Sequence, residues 1–221
     1  MLTENMFIRV SQDCFKNANT KQAELYSSLD VIQLKIMFAM LAYANMINSV
    51  NRANQTEFSI PLKNFRKKGS LFKNIRLSKK ELSEKVNEIK HPYFERIISS
   101  EKTINFNLKN KYLKDLNNSK SGYVEIKHLM GYKSISQIKM HMQLAYFVNY
   151  RMPLNFAINF LNISKKQSRK DQIRAIKNVF KSLKIENDCE YLFPKFREKK
   201  NELHYSFIVK TKKKYTEDVY F

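Results

Sequence analysis

The chain has 221 residues, and its 41 Lys and Arg against 20 Asp and Glu give a formal net charge of +21 at pH 7. Hydrophobic residues make up 43% of it, enough to bury a core, which excludes an intrinsically disordered chain. Only 3 Gly and 4 Pro disfavour a loop-rich, all-β design. The basic excess is spread over both halves of the chain and indicates a polyanionic partner, with nucleic acid ahead of an anionic membrane.

The cysteines and the apolar segments indicate a cellular compartment. Cys14 and Cys189 lie far apart and form no CxxC pair, so we expect neither a disulfide framework nor a zinc site. The N-terminal residues contain no apolar signal core. Residues 31–50 could span a bilayer by length, but Gln33 and Lys35 interrupt them and favour a buried helix. We therefore expect a cytoplasmic protein without a membrane partner.

The first third of the chain predicts a long helix, a strand and a short helix. Ser28 is expected to cap a helix that runs to about Asn51 and is apolar nearly all round, so that most of its sides are buried. The segment "FSIPLKNF", residues 58–65, predicts a short strand, a proline turn and a short helix.

A capped helix and a hairpin follow. Ser78 and Glu81 have the spacing of a capping box, in which each side chain satisfies a free backbone N–H, and they open a helix over 78–89. The β-branched and aromatic runs "YFERIISS" and "TINFNLK" are separated by two residues, which predicts a hairpin.

The same order of elements recurs after the predicted linker "NNSKSG", residues 117–122. A second apolar helix is expected at 134–150, and a second proline turn and short helix at 152–161. Ser168 and Asp171 parallel Ser78 and Glu81 as a capping box. A second hairpin is predicted from "CEYLFPKF" and "ELHYSFIVK", joined by "REKKN".

This order of elements is that of a winged helix, a helix-turn-helix followed by a hairpin. The predicted fold class is α+β, mainly helical, with two tandem winged-helix domains related by a pseudo-repeat. The predicted domains are 1–116, including an N-terminal extension at 1–27, and 123–221, which ends in a basic tail.

The second capped helix is the strongest candidate for DNA recognition. Its N-terminal end is crowded with cations, which the helix dipole disfavours unless phosphates or guanines lie opposite. Gln172 could read adenine and Arg169 or Arg174 guanine. An ordinary solvated helix face is the competing interpretation. The candidate residues are Lys165, Lys166, Ser168, Arg169, Lys170, Gln172, Arg174 and Lys177.

Further basic residues are predicted to contact the phosphate backbone, which adds affinity and little specificity. In the first domain Glu84 and Glu88 dilute the charge, so we expect less specific binding there, or contacts between protein chains. The candidates in the second wing and tail are Lys195, Arg197, Lys199, Lys200 and Lys212. Those in the first domain are Arg66, Lys67, Lys68, Lys79, Lys80 and Lys85.

Catalysis has little support in the sequence. The four His are scattered, and neither an HExxH motif nor a Walker A loop is present. Asp115, Glu125 and Lys127 have nuclease-like D…ExK spacing, which keeps a metal-dependent nuclease open as a less favoured function. We expect no enzymatic activity, no cofactor and no metal. The basic winged-helix pattern is also compatible with a transcriptional regulator and with an RNA-binding protein.

Three stretches carry a family resemblance. They are "IPLKNF", "KYLKDL" at 111–116, and the run that begins "SISQIKMHMQLAYFVNY" and ends "FIVK". With them the chain resembles the plasmid replication initiators of the Rep family, which carry two tandem winged helices. It departs from the family at Gln143–Tyr146, where an Arg-Leu-Tyr is usual.

The resemblance implies a replication initiator. Such a protein would bind repeated double-stranded sites at an origin, melt an adjacent AT-rich segment and recruit the host initiator and helicase. It also implies homodimers that repress their own promoter.

Overall fold

The computed structural model describes residues 6–15, 24–26, 28–52, 54–66, 77–118, 121–147, 149–192 and 206–211. The chain forms two compact units, unit 1 from Met1 to Gly131 and unit 2 from Tyr132 to Phe221. The predicted first element, the long apolar helix, is present as α1, Val31–Asn51.

Helix α1 is the core of unit 1. Eleven of its residues are buried, among them Leu34, Ile36 and Phe38. By length and composition α1 could cross a membrane, but 61% of its most apolar stretch is buried inside the protein, as expected for a core helix. Its one buried cation, Lys35, donates to the backbone oxygen of Met130 at 2.9 Å.

The cap of α1 differs from the prediction. Ser28 has a positive φ of 58°, and Asp30 caps the helix instead. The Asp30 carboxylate accepts from the N–H of Gln33 at 2.8 Å, while the Gln33 side chain accepts from the N–H of Asp30 at 3.0 Å. Asp30 therefore forms the reciprocal capping box that opens α1.

The remaining elements of unit 1 follow the predicted winged-helix order. They are β2 (Glu57–Pro61), α2 (Lys63–Arg66), α3 (Lys79–Asn87), β3 (Phe94–Ser99) and β4 (Thr103–Leu108). The three strands form an antiparallel sheet in the order β2-β4-β3. The predicted capping box of α3 is confirmed, with Ser78 and Glu81 each accepting from the other's backbone N–H.

The domain boundary lies later than predicted. Helix α4, Asn110–Asn118, runs into the predicted linker 117–122, and strand β5, Ser121–Glu125, pairs antiparallel with β1, Phe7–Ser11. The pairing buries Ile8, Val10 and Val124. Residues 7–11 and 121–125 thus belong to unit 1, which continues through α5, Ile126–Met130, and the predicted bounds 1–116 and 123–221 are corrected to 1–131 and 132–221.

Unit 2 repeats the order of unit 1. Its elements are α6 (Ile135–Tyr146), β6 (Asn149–Pro153), α7 (Leu154–Phe160), α8 (Arg169–Lys181), β7 (Asn187–Leu192) and β8 (Ser206–Thr211). The predicted helices and flanking strands are all present, and the turn of the hairpin lies outside the described residues. The antiparallel sheet has the order β6-β8-β7, equivalent to β2-β4-β3.

Pro61 and Pro153 occupy equivalent positions in the two units. Pro61 ends β2 opposite Thr103, the first residue of β4, and Pro153 ends β6 opposite Ser206, the first residue of β8. Both prolines end edge strands, where the missing N–H costs no ladder hydrogen bond. A buried leucine, Leu62 or Leu154, follows each proline into the short helix.

A buried histidine makes the stability of unit 1 depend on pH. His91 is 6% exposed, accepts from the N–H of Tyr93 at 3.2 Å and packs edge-on against the Tyr93 ring. Burial lowers the pKa of His91 from 6.5 to about 4. Between these two pH values the unfolded chain binds a proton that the folded chain excludes, so the stability present above pH 6.5 is lost as pH falls towards 4.

We therefore expect the free energy of unfolding to fall by up to about 3 kcal/mol between pH 7 and pH 4 through His91 alone. His91→Asn keeps an acceptor near the Tyr93 N–H and removes the titration. Urea unfolding at pH 7.0, 5.5 and 4.5 should show a smaller pH dependence for His91→Asn than for the wild type. Equal pH dependence in the two proteins would contradict the assignment.

Candidate nucleic-acid interface

Helix α8 presents most of the predicted recognition residues. Ser168 accepts from the N–H of Asp171 at 3.2 Å and its hydroxyl donates to the Asp171 carboxylate at 2.6 Å. Only half of the predicted capping box therefore forms, since the Asp171 carboxylate binds the Ser168 hydroxyl and not its N–H. The helix buries one stripe and leaves the opposite face to solvent.

The exposed face of α8 is basic. Arg169, Lys170 and Arg174 are exposed and Lys177 is half-buried. Between Arg169 and Lys181 the helix carries five cations and a single acid. Among the described residues, Lys165, Lys166 and Lys170 form no ion pair. This surface concentrates positive charge where a helix would enter a major groove.

One candidate base reader already has an acidic neighbour. The Arg174 guanidinium lies 3.4 Å from the Asp171 carboxylate, one turn earlier on the helix. Both side chains are largely exposed, so this pair is weak and a nucleic acid can displace it. Lys177 lies close to Cys189 of β7. Burial raises the pKa of the Cys189 thiol to about 12, although the positive charge of Lys177 acts to lower it.

The prediction that Gln172 reads adenine is wrong. Gln172 is 6% exposed and belongs to the buried stripe of α8 together with Ile176 and Phe180. Its Nε2 donates to the backbone oxygen of Ser164 at 3.1 Å. Gln172 faces inward because it is four residues before Ile176, and it ties α8 to the turn that precedes it.

That turn is held by local hydrogen bonds. Asn162 has a φ of 56°, the left-handed conformation that asparagine tolerates, and it redirects the chain after α7. The Ser164 hydroxyl accepts from the N–H of Lys166 at 3.3 Å, and the Ser164 carbonyl accepts from the N–H of Gln167 at 3.3 Å. Lys165 and Lys166 are consequently fixed close to the start of α8.

An open cleft of about 520 Å³ separates α7 from α8. Its floor includes the buried Ile158 and Gln172, and its rim consists of exposed polar side chains. We call it the α7–α8 cleft; it is lined by Asn155, Ile158, Asn159, Lys165, Gln167, Arg169 and Gln172. Asn155, Asn159 and Gln167 were not predicted, although the four-residue spacing of the two asparagines on a short amphipathic helix is a signal of one exposed polar face.

The wing and tail candidates cannot be placed. Lys195, Arg197, Lys199, Lys200 and Lys212 lie outside the described residues, as do Lys67 and Lys68 of unit 1. Arg66 is the last residue of α2. Strands β7 and β8 that flank the wing are in register, with Leu192 opposite Ser206.

The equivalent helix of unit 1 is close to neutral. From Lys79 to Glu88 it carries three lysines and three glutamates. Exposed Lys80 lies 4.0 Å from Glu84. Helices α3 and α8 occupy the same place in the repeat, but they differ strongly in net charge.

Lys85 has a structural partner. Its ammonium donates to the Asp30 carboxylate at 2.7 Å and lies 3.7 Å from Glu88, and Glu88 also accepts from Gln33 at 3.0 Å. The hydrogen bond to Asp30 raises the pKa of Lys85. Burial opposes ionisation of Asp30, but the Lys85 hydrogen bond and the capped backbone N–H groups outweigh it and lower the pKa of Asp30. Lys85 thus joins α3 to the start of α1, contrary to its predicted role as a DNA contact.

Unit 1 has a cleft at the corresponding position. It measures about 720 Å³ and has the unit's strand-ending proline and the following leucine in its wall. Lys63, Lys79 and Lys102 surround it and form no ion pair within the described part of the chain. We call it the unit 1 cleft; it is lined by Pro61, Leu62, Lys63, Asn64, Lys79, Glu101 and Lys102.

Comparison with known proteins places the fold. No protein-family model and no curated protein matches the sequence. Among solved structures, the chain is similar to the Pi initiator protein in complex with iteron DNA, with a TM-score of 0.60 and 11% identity over 98% of this chain and 100% of that one. The predicted α+β fold and the resemblance to replication initiators are confirmed at the level of the fold.

The two lysines of α3 allow a matched test of the structural role of Lys85. Lys85→Gln and Lys80→Gln each remove one positive charge from the same helix. We expect Lys85→Gln to lower the midpoint of thermal unfolding, because Asp30 and Glu88 lose their shared partner, whereas Lys80→Gln leaves it unchanged. Circular dichroism melts measure both midpoints; equal midpoints would show that Lys85 does not hold α3 to α1.

Proposed function

We propose that the protein is a sequence-specific double-stranded-DNA-binding protein that initiates replication of its replicon from repeated origin sites. Unit 2 reads the sequence through α8, and unit 1 adds weaker contacts to the DNA backbone. The protein acts in the cytoplasm and performs no chemistry on the DNA.

The charge difference between α8 and α3 carries this proposal. Both helices follow the same strand, proline turn and short helix, so the fold alone would present either of them to a groove. Helix α8 carries five cations with one acid, whereas α3 balances its lysines with glutamates. A phosphate-lined groove attracts the first surface and is nearly indifferent to the second.

The likeness to the Pi initiator favours an initiator over a transcriptional regulator. The likeness extends over both units and the full length of the other chain. That protein binds iteron DNA in the matched structure, which supports repeated duplex sites as the ligand here. Recruitment of a host initiator and helicase, and a homodimer that represses its own promoter, are further parts of the proposal.

Each basic residue has a proposed role. Arg169 and Arg174 donate to guanine O6 and N7, because a guanidinium can bind both acceptors at once. Lys165, Lys166 and Lys170 contact phosphates and set affinity for any sequence. Ser168 holds the first turn of α8 in place, and the wing lysines contribute further phosphate contacts.

The proposed function includes no nuclease activity. Glu125, which belongs to the D…ExK spacing, is engaged by Lys127 and lies 3.2 Å from the His128 Nε2. Within the described residues, no group of three His, Cys, Asp or Glu side chains is placed to hold a metal ion. Supercoiled DNA incubated with excess protein and Mg²⁺ or Mn²⁺ should stay uncut; nicking would favour a nuclease after all.

Selection from a random duplex library tests the proposal directly. We expect the wild type to enrich one sequence motif, and duplex RNA to compete poorly because α8 cannot enter the narrow major groove of A-form RNA. A replicon that carries this motif as directly repeated sites should be lost when the gene is deleted. Unchanged maintenance with derepression of a promoter would favour the regulator instead.

Arginine variants should separate base contacts from phosphate contacts. Arg169→Ala or Arg174→Ala should cost about 1–3 kcal/mol on the selected motif and relax preference at one base position. Lys166→Ala should weaken all duplexes alike and reduce the salt slope by about one. Arg96→Ala, in exposed β3 of unit 1, is the matched control; an Arg169 variant with wild-type specificity would contradict the role assigned to α8.

A further inference from the structure

The rim of the α7–α8 cleft has the chemistry of an anion site. Asn155, Asn159 and Gln167 offer carboxamide N–H donors, and Lys165 and Arg169 offer positive charge. Among the described residues, no acidic side chain lines the cleft. Carboxamides and cations are among the side chains that bind phosphate oxygens in protein–DNA complexes.

The backbone that carries the rim is held by side-chain hydrogen bonds. Gln172 fixes the carbonyl of Ser164, and α6 fixes the end of α7 through two side chains. Ser136 donates to the carbonyl of Leu161 at 3.0 Å, and Lys139 donates to that of Phe160 at 3.0 Å. Because the backbone is already fixed, only the side chains of the rim have to be ordered on binding, which lowers the entropic cost of each hydrogen bond.

The α7–α8 cleft and the unit 1 cleft share two lining positions. Lys63 follows Pro61 by two residues, as Asn155 follows Pro153, and Lys79 directly follows its capping serine, as Arg169 does. The unit 1 cleft is also lined by Glu101 and Lys102 from the turn between β3 and β4, so its charge is mixed. The two shared positions carry a basic or an amide side chain in both units, and the α7–α8 cleft is the one whose described lining contains no acid.

We propose that the α7–α8 cleft is a seat for one backbone phosphodiester of the bound duplex. Asn155 and Asn159 donate to its non-bridging oxygens, Lys165 neutralises its charge, and Gln172 positions the turn that carries Lys165. The seat sets the depth and angle at which α8 enters the groove. This inference rests on the proposed duplex binding but concerns α7, which the base-reading role of α8 does not require.

Phosphate ethylation interference on the selected duplex tests the seat. Ethylation neutralises and crowds one phosphate at a time, so the wild type should show a set of sensitive phosphates. Asn159→Ala should weaken binding about tenfold on selected and scrambled duplexes alike, the loss expected for one hydrogen bond to a charged group. It should also lose sensitivity at one phosphate and keep the others. Its salt slope should stay that of the wild type, because no cation is removed, whereas Lys165→Ala should lower the slope by about one.

Asn149→Ala is the matched control. Asn149 is exposed on the edge strand β6 of the same unit and does not line the cleft. Asn159→Ala replaces an exposed residue by a better helix former, so it should fold normally. If Asn159→Ala and Asn155→Ala bind with wild-type affinity and an unchanged interference pattern, the seat is overturned and duplex binding stands. If the wild type binds no duplex, the proposed function fails and the seat with it.

Discussion

The rotational position of α8 is set by what it buries, and the rest of the interface depends on that setting. Gln172, Ile176 and Phe180 form one stripe, and Phe180 packs against Phe207 of β8 with ring centroids 6.1 Å apart. Turning the helix would expose these side chains and leave a cavity, at a cost of several kcal/mol. Because this stripe is fixed to the sheet, the cations of α8 must lie on the solvent side. The packing of the core therefore sets where the cations lie, without any specific contact made by the cations themselves.

That placement has an electrostatic cost which unit 1 avoids. Cations in the first turn of a helix oppose its dipole, and their mutual repulsion adds to the penalty. In unit 1 helix α3 carries as many glutamates as lysines: Glu81 completes its cap in the first turn, and Lys85, in the last turn, is bound by Asp30. On α8 itself Asp171 is the single acid, and it serves both the Ser168 cap and Arg174. The net charge of α8 is the charge that the proposed DNA contact would offset.

Local signals in the sequence were enough to predict most of the fold. The Ser78 capping box, the prolines that end β2 and β6, and the two-residue gap of the first hairpin each depend on neighbours within a few residues. The predictions that were wrong depended on distant partners. Nothing near residues 121–125 shows that they pair with residues 7–11. Nothing near Ser28 shows that Lys85 of α3 binds Asp30, the residue that caps α1 in place of Ser28. The prediction for Gln172 was wrong for another reason. Its polarity suggested an exposed side chain, although its four-residue spacing from Ile176 places it in the buried stripe of α8.

The two clefts would supply different kinds of affinity if each contacts a phosphate, as we propose for the α7–α8 cleft. Lys63 in unit 1 is a point charge on a flexible stem, whose attraction to phosphate comes largely from counterion release and weakens as salt rises. Asn155 at the matching place in unit 2 is neutral and short, so it would contribute direction and distance with little dependence on salt. The proposed base reading requires the geometry of α8 to be fixed to within a fraction of an ångström, and carboxamides on a short helix suit that requirement better than lysines do. An amide in place of Lys63 therefore matches the unit whose arginines are proposed to read the sequence, and the lysine matches the unit whose helix is neutral.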